Sequence, residues 1–376
     1  MKRALVILPT YNEAQNIGLM LDKLIKLSRD NKSYCIDVLV VDDQSPDGTA
    51  KIIKKYQENN KNILLISGRK NGLGNAYIRG MKYGLKNSIY FAFVMMDADF
   101  SHDPAVIPTL LDKLTEQNDV VIGSRYTKGG FIPGNWPLIR IINSKIANFL
   151  ARLFGEFDKN IKDLTGGFRA IKVDSLKRIK LEDINASGYF FEVKLLYMLT
   201  EHGFNVSEVP ICFADRERGS SKISSRDVLE FLHKVYALNP NSRIRRICSF
   251  ALVGGVGTLV NIITLSVLLR LLHFNPILSD AIAIELSILS NFYLNNKYTF
   301  QNADKAVGMK LHIATAGKFN AGAVVGALIS LTLFTVLFKT VHLNYLVADL
   351  LAISISVSWN YWVSTRYVWR VANAIP

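Results

Sequence analysis

Four stretches in the last third of the chain carry almost no charge, and they limit the folds open to it more than any other feature. They run from Ile247 to Leu272, from Ile277 to Leu294 (interrupted by Asp280 and Glu285), from Phe319 to Phe338, and from Tyr345 to Trp362 (interrupted by Asp349). Each has about 18 to 26 residues, enough for a helix to cross roughly 30 Å of hydrocarbon at 1.5 Å per residue. Four membrane spans fit them better than four buried helices of a soluble domain. Mean hydropathy is +0.19 although 20% of the 376 residues are charged, so the apolar excess is concentrated here and the earlier part forms a separate, water-facing unit. Gly254, Gly255, Gly257, Gly317, Gly322 and Gly326 either let helices approach closely or break them.

Basic residues give these spans a direction. Arg243, Arg245 and Arg246 precede the first, Lys297, Lys305, Lys310 and Lys318 lie between the second and third, and Arg366 and Arg370 follow the fourth. By the positive-inside rule the N-terminal region, the middle loop and the C-terminus are cytoplasmic. No signal peptide is expected, because Ala4 to Leu8 is a short strand-like run leading into Pro9. The net charge of +14 comes without a nucleic-acid motif or a basic stripe interleaved with aromatics, so anionic lipid and phosphate substrates account for it and no nucleic-acid partner is expected. Cys35, Cys212 and Cys248 have neither paired nor metal-ligand spacing and read as reduced thiols. His102, His202 and His233 stand apart and read as structural or surface residues.

Residues 1 to 225 alternate strand-like and helix-like segments: Ala4–Leu8 with Asn16–Leu27, Ile36–Val41 with Thr49–Tyr56, Ile63–Ser67 with Asn75–Tyr83, Tyr90–Met96 with Ala105–Glu116, then Val120–Ser124. This alternation predicts a mostly parallel α/β sheet, covered on both faces, that binds ligands beyond the carboxyl ends of its strands. The polar motifs fall at those ends. Asp97-Ala98-Asp99 follows the apolar run Ile89–Met96, and paired carboxylates there suit Mg²⁺ or Mn²⁺, which retain waters and take up substrate phosphate oxygens. Asn12 could cap the first helix and Asp47 or Thr49 the second; with Pro9–Glu13 and Asp42–Thr49 the same loops also surround one crevice. No Gly-x-Gly-x-x-Gly follows the first strand, against a dinucleotide-dependent dehydrogenase.

In order along the chain stand Pro9-Thr-Tyr-Asn-Glu13, Asp42-Asp-Gln-Ser-Pro-Asp-Gly-Thr49, Arg69-Lys-Asn-Gly-Leu-Gly74 with Ala76-Tyr77, and Asp97-Ala-Asp-Phe-Ser-His102. Gly123-Ser-Arg-Tyr126, Asp163-Leu-Thr-Gly-Gly-Phe-Arg169 and Gly188-Tyr-Phe-Phe-Glu192 follow. The chain thereby resembles the family-2 glycosyltransferases of GT-A fold, in their dolichyl-phosphate mannosyltransferase branch, and the tail resembles the four-helix GtrA-type membrane domain. The resemblance implies an α/β GT-A (Rossmann-like) catalytic domain over 1–225, an interfacial helix or linker over 226–245 and an all-α four-span domain over 246–370. Apolar residues at helical spacing from Val228 to Leu238 suit either a helix lying on the membrane surface or one packed on the soluble core.

Carried onto this sequence, the family pattern assigns Pro9, Tyr11, Glu13, Val41 and Asp43, with Asp42 close behind, to the base and ribose of a sugar nucleotide. Asp97 and Ala98 would touch the donor, and Asp99 and Ser101 would hold the metal. Arg125 and Arg140 would receive the acceptor phosphate, while Arg216 and Lys222 on a lid-like loop over Ala214–Ser225 would close on the donor. Asp163–Arg169 would shape the acceptor side. The implied reaction is inverting transfer of mannose from GDP-mannose to dolichyl or polyprenyl phosphate at the cytoplasmic membrane face, with no obligate protein partner. UDP-glucose or another UDP-hexose is the alternative donor, and a lipid-linked sugar flippase or transporter regulated by its soluble part is the alternative class. A processive polysaccharide synthase is disfavoured, since Gln-x-x-Arg-Trp is absent.

Overall fold

The computed structural model describes residues 1–132, 136–184, 190–214, 225–301 and 309–369. The chain divides into two units, Met1–Asn239 and Pro240–Pro376.

The first unit is built on a seven-stranded sheet: β1 (Lys2–Thr10), β2 (Tyr34–Asp42), β3 (Ile63–Ser67), β4 (Tyr90–Met95), β5 (Val120–Ser124), β6 (Arg169–Lys172) and β7 (Val206–Pro210), in the order β3-β2-β1-β4-β6-β5-β7. All neighbours are parallel except β6, which runs antiparallel to both β4 and β5. The first five strands are the five that alternation predicts, whereas β6 and β7 are short and carry no period that marks them in the sequence. Successive residues of β1 are buried on opposite faces: Leu5 and Ile7 pack in one apolar layer, Ala4, Val6 and Leu8 in the other. Both faces are therefore covered, as the continuous apolar runs require. The helices α1 (Ile17–Asp30), α2 (Thr49–Asn59) and α4 (Ile107–Lys113) supply one cover, and α3 (Leu73–Leu85), α6 (Val173–Lys177) and α7 (Phe190–Glu201) the other.

Strand order reverses at β1, which lies between β2 and β4, and a parallel sheet opens its binding crevice at such a point. Two further helices flank it, α5 (Leu138–Gly155) and α8 (Ser225–Tyr236). α8 packs on the first unit through Phe231, edge-on to Phe190 at 6.1 Å, and Tyr236, edge-on to Phe154 at 5.7 Å. It also leaves Val228, Leu229 and Leu232 exposed, so it packs on the core and still presents an apolar face. α5 does the same with Leu138, Ile139, Ile142, Ile146 and Phe149, an apolar face that spacing alone did not single out.

The second unit holds α9 (Arg243–Arg270), α10 (Pro276–Leu294), α11 (Met309–Lys339) and α12 (Tyr345–Val363). All four are long and apolar enough to cross a membrane. The helices run through their glycines without breaking. Gly257 of α9 is a point of close approach, where a Cβ would collide with the Asn291 carboxamide of α10, and Gly326 of α11 meets Asn360 of α12 in the same way.

Candidate active site

The loops after β1 and β2 are tied to each other. Asn12 N–H donates to Ser45 Oγ at 3.0 Å, Glu13 N–H to Thr49 Oγ1 at 3.0 Å, and Ala14 N–H to Asp47 Oδ2 at 2.9 Å. Asp47 also accepts from the Thr49 backbone at 3.0 Å, so it both steadies the start of α2 and anchors the neighbouring loop. Asn12 does not cap α1; it sits at φ 61° in the turn, and Asn16 occupies the cap position. The side chains of two expected nucleoside contacts are engaged within the fold itself. Val41 is fully buried in the core beneath α3. Asp42 is 1% exposed, and its oxygens accept from Thr10 Oγ1, Ser45 N–H and Ser45 Oγ. The carboxylate fixes the loop and is absent from the crevice wall. Pro9, Tyr11, Glu13 and Asp43 do line the crevice. Lys70 lies 3.5 Å above the Tyr11 ring, and Asp43 is paired with Arg79.

At the end of β4, the Asp97 N–H donates to His102 Nδ1 at 3.1 Å, and Tyr77 Oη donates to Asp97 Oδ1 at 3.3 Å. His102 is buried between Phe168, stacked at 5.0 Å, and Phe213, edge-on at 5.4 Å. Burial holds its pKa below the ordinary histidine value, consistent with a neutral ring that accepts at Nδ1. It fixes the Asp97–Ser101 turn from beneath. Ser101 N–H donates to Asp99 Oδ1 at 3.1 Å, and Phe100 between them has φ 65°. Ser101 is 2% exposed, and its Oγ has no hydrogen-bond partner among the described residues. Such an orphaned hydroxyl beside a carboxylate fits a hard cation. No cluster of three or more His, Cys, Asp or Glu side chains suited to a metal occurs among the described residues, so a cation here would rely on substrate oxygens.

Arg125, just past β5, is clamped rather than free. Its Nε and Nη2 each lie 2.7 Å from an Asp163 oxygen, and Nη2 also donates to Thr165 Oγ1 at 2.9 Å. Asp163 is fully buried; burial pushes its pKa up, but the charge and hydrogen bonds of Arg125 outweigh this and hold it below the usual carboxylate range. Arg140 on α5 stacks 3.7 Å over Trp136. Both arginines line the crevice. Arg216, Lys222 and most of the 214–225 loop lie outside the described residues, as do Gly188 and Tyr189.

Glu192 is a site residue to which the sequence reading gave no role. It is 4% exposed, lines the crevice, and has Oε2 buried without a partner among the described residues. Burial pushes its pKa up to about 8. Arg169, fully buried nearby, spends its donors on backbone carbonyls: Gly166 at 2.7 Å, Leu164 at 2.8 Å and Glu192 itself at 2.6 Å. A Cβ on Gly167 would lie 3.8 Å from His102 Cε1 and 3.9 Å from Glu192 Oε1. The signal in the sequence was an acid set directly after Phe190-Phe191 at the start of an apolar helix.

These residues enclose a crevice of about 670 Å³. Asp97, Asp99 and Arg125 border it where the strands end, and Ile146 and Leu150 of α5 with Val228, Phe231 and Leu232 of α8 continue its wall. Polar and apolar linings thus share one cavity.

Residues 5–180 match the glycosyl transferase family 2 profile, and residues 249–369 match the GtrA/DPMS transmembrane domain. A dolichol-phosphate mannosyltransferase of Pyrococcus furiosus is 32% identical over 368 residues, covering 97% of this chain and 98% of that one. The chain belongs to this glycosyltransferase family. A polyprenol monophosphomannose synthase of Mycolicibacterium smegmatis is 37% identical over 247 residues, 65% of this chain and 90% of its own. Among solved structures, glucosyl-3-phosphoglycerate synthase of Mycobacterium tuberculosis, in complex with Mn²⁺ and UDP-glucose, superposes with TM-score 0.46 at 19% identity over 63% of this chain and 77% of that one. This glycosyltransferase therefore pairs a GT-A catalytic unit with a four-helix membrane unit, and the reading of its soluble part as a transporter's regulator falls away.

Proposed function

We propose that this glycosyltransferase moves mannose from GDP-mannose to dolichyl or another polyprenyl phosphate, inverting the anomeric carbon, at the cytoplasmic face of its membrane. The observation that carries the reading is the mixed lining of the crevice, acidic and cationic where the strands end and apolar between α5 and α8. A phosphate joined to a long hydrocarbon matches that division. The names of the two matched relatives support the same sugar and the same class of acceptor. The excess of Lys and Arg at one end of the spans supports the cytoplasmic orientation.

Asp99 and Ser101 would hold Mg²⁺ or Mn²⁺, a carboxylate and a hydroxyl being hard oxygen donors. When bound, such a cation neutralises charge that builds on the departing diphosphate. Tyr11, Glu13 and Asp43 would hold the nucleoside, with Pro9 and Ala98 shaping its seat and Asp97 facing the sugar. Arg140 would offer a planar guanidinium to the acceptor phosphate, and Arg125 a second one whose direction Asp163 fixes. Arg216 and Lys222 stay assigned to the donor. The acceptor oxygen is already anionic at neutral pH, so the chain need not supply a strong general base.

The test is to incubate the purified chain in detergent, with Mg²⁺ or Mn²⁺, with a panel of GDP- and UDP-sugars and polyprenyl phosphates, and to score lipid-linked product. Product from GDP-mannose is expected. Product from a UDP-hexose alone would move the assignment to that donor, and no lipid-linked product from any pair would overturn it.

A further inference from the structure

The two helical hairpins of the membrane unit, α9–α10 and α11–α12, share identical residues at one constant separation of 69. Identical pairs include Phe250 and Phe319, Gly257 and Gly326, His273 and His342, Asn275 and Asn344, Ser287 and Ser356, and Asn291 and Asn360. Membrane packing alone favours small and polar residues between helices, but it asks for no common register and makes no demand on loops. Here the loops agree as well. His273 has φ 50° and His342 φ 56°, and Asn275 and Asn344 each cap the helix that follows through backbone N–H groups near 3.0 and 2.9 Å. α10 ends in a π turn at Asn295–Thr299 and α12 in one at Ser364–Val368.

The serine–glycine contact inside each hairpin is the same. Ser287 Oγ donates to the Gly257 carbonyl at 2.8 Å, and Ser356 Oγ to the Gly326 carbonyl at 2.8 Å. Asn291 and Asn360 press on those glycines, and each has a buried Oδ1 with no hydrogen-bond partner among the described residues.

Two aromatic contacts between the hairpins exchange in the way a two-fold axis demands, whereas the Asn320 Nδ2 bond to Glu285 at 2.9 Å belongs to one side alone. Phe250 of the first meets Tyr361 of the second at 5.6 Å, and Phe319 of the second meets Phe292 of the first at 5.9 Å. Phe300 and Trp369, themselves 69 apart, stack on each other at 4.3 Å. A pair that maps onto itself when the hairpins are exchanged lies on the axis.

We propose that the membrane unit is a duplicated module, two copies of one helical hairpin that bind each other through the same aromatic surface, around a pseudo-two-fold axis passing between Phe300 and Trp369. The partner that fits the Phe250, Phe292 and Phe300 surface of the first hairpin is a second copy of that hairpin, which this chain supplies itself. Because the copies are parallel repeats, both enter and leave by the same end of the unit, with His273 and His342 together at the opposite end.

The full chain, with Cys35, Cys212 and Cys248 changed to serine, tests this through paired cysteines. The pairs are Phe250→Cys with Tyr361→Cys, Phe292→Cys with Phe319→Cys, and Phe300→Cys with Trp369→Cys. Each is treated in membranes with a short bismaleimide and read by mass spectrometry of the linked peptides. All three are expected to link. If one of the first two links and its counterpart does not, or if neither does in protein that stays monodisperse, the two-fold relation is wrong. As a second measurement that leaves the aromatic surface intact, Ser287→Ala and Ser356→Ala should lower the thermal midpoint by matching amounts. A shift in one with none in the other would overturn the equivalence of the copies.

Discussion

Asp163 grips Arg125 with both carboxylate oxygens, 2.7 Å from Nε and 2.7 Å from Nη2, and takes the Arg125 backbone N–H at 3.1 Å as well. The pair makes the cationic wall of the crevice rigid and divides its charge between two residues.

Removing Asp163 would strand a buried guanidinium. Asp163→Ala is expected to cost about 3–5 kcal/mol, measured by denaturant unfolding of the catalytic unit within the full chain. Because the carboxyl is held below its ordinary pKa, the pair's contribution is present above the unfolded carboxylate value near 3.9 and is lost as pH falls through the lower folded value. Stability of the wild type should therefore drop more steeply on acidification than that of Asp163→Asn.

Asp99→Ala should abolish transfer while leaving the fold intact, since it takes away an oxygen donor and no core volume. Ser101→Ala removes a hydroxyl that has no partner among the described residues, so its thermal midpoint should equal wild type. Its requirement for Mn²⁺ should rise by about 10-fold or more, since even an outer-shell partner of a metal is worth about 10–100-fold in affinity. Titration of activity and of tryptophan fluorescence with Mn²⁺ checks both, and unchanged Mn²⁺ dependence in both readouts would remove Ser101 from the metal site.

Glu192, pushed up to about 8 by burial, binds a proton in the folded state that the unfolded chain releases near 4.3. The folded state then holds more protons between those values, so stability contributed at this position declines as pH rises from about 4.3 to 8. Glu192→Gln, which keeps the shape without the charge, should lose less stability than wild type as pH rises from 5 to 8. Parallel thermal midpoints for variant and wild type from pH 5 to 8 would show that Glu192 does not titrate in this way.

If the hydrocarbon of the acceptor lies between α5 and α8, a charge there should discriminate by chain length. Val228→Asp is expected to raise KM for a long polyprenyl phosphate by about 10-fold or more, the scale of burying an unpaired polar group against hydrocarbon, while KM for GDP-mannose stays constant. Equal effects on short and long acceptors would place the hydrocarbon elsewhere.

The parallel half of the sheet was legible because β1 to β5 are continuous apolar runs ending in polar turns, and the membrane spans because each is a long stretch nearly free of charge. Local order also placed Asp97 and Asp99 at a strand end, while Arg125 and Arg140 came from the family resemblance and the helix that carries Arg140 was not foreseen. Local order gave no sign of β6 and β7, since Arg-Ala-Ile-Lys and Val-Ser-Glu-Val-Pro are not continuous apolar runs. The repeat in the membrane unit was in the sequence throughout; hydropathy conceals it, since any two apolar helices look alike until register is compared.

The sequence by itself determined the two-unit architecture, because hydrophobic period and turn chemistry act over a few neighbouring residues, and its ordered motifs carried the resemblance to the family. Only the tertiary structure decided how each charge is spent. Asp42 closes a loop, Arg125 is matched by Asp163, Arg169 is consumed by carbonyls, and Glu192 and Ser101 keep unpaired atoms. Those outcomes depend on partners tens of residues away, and in a low-dielectric interior the partner, more than the residue type, sets what a polar group can do.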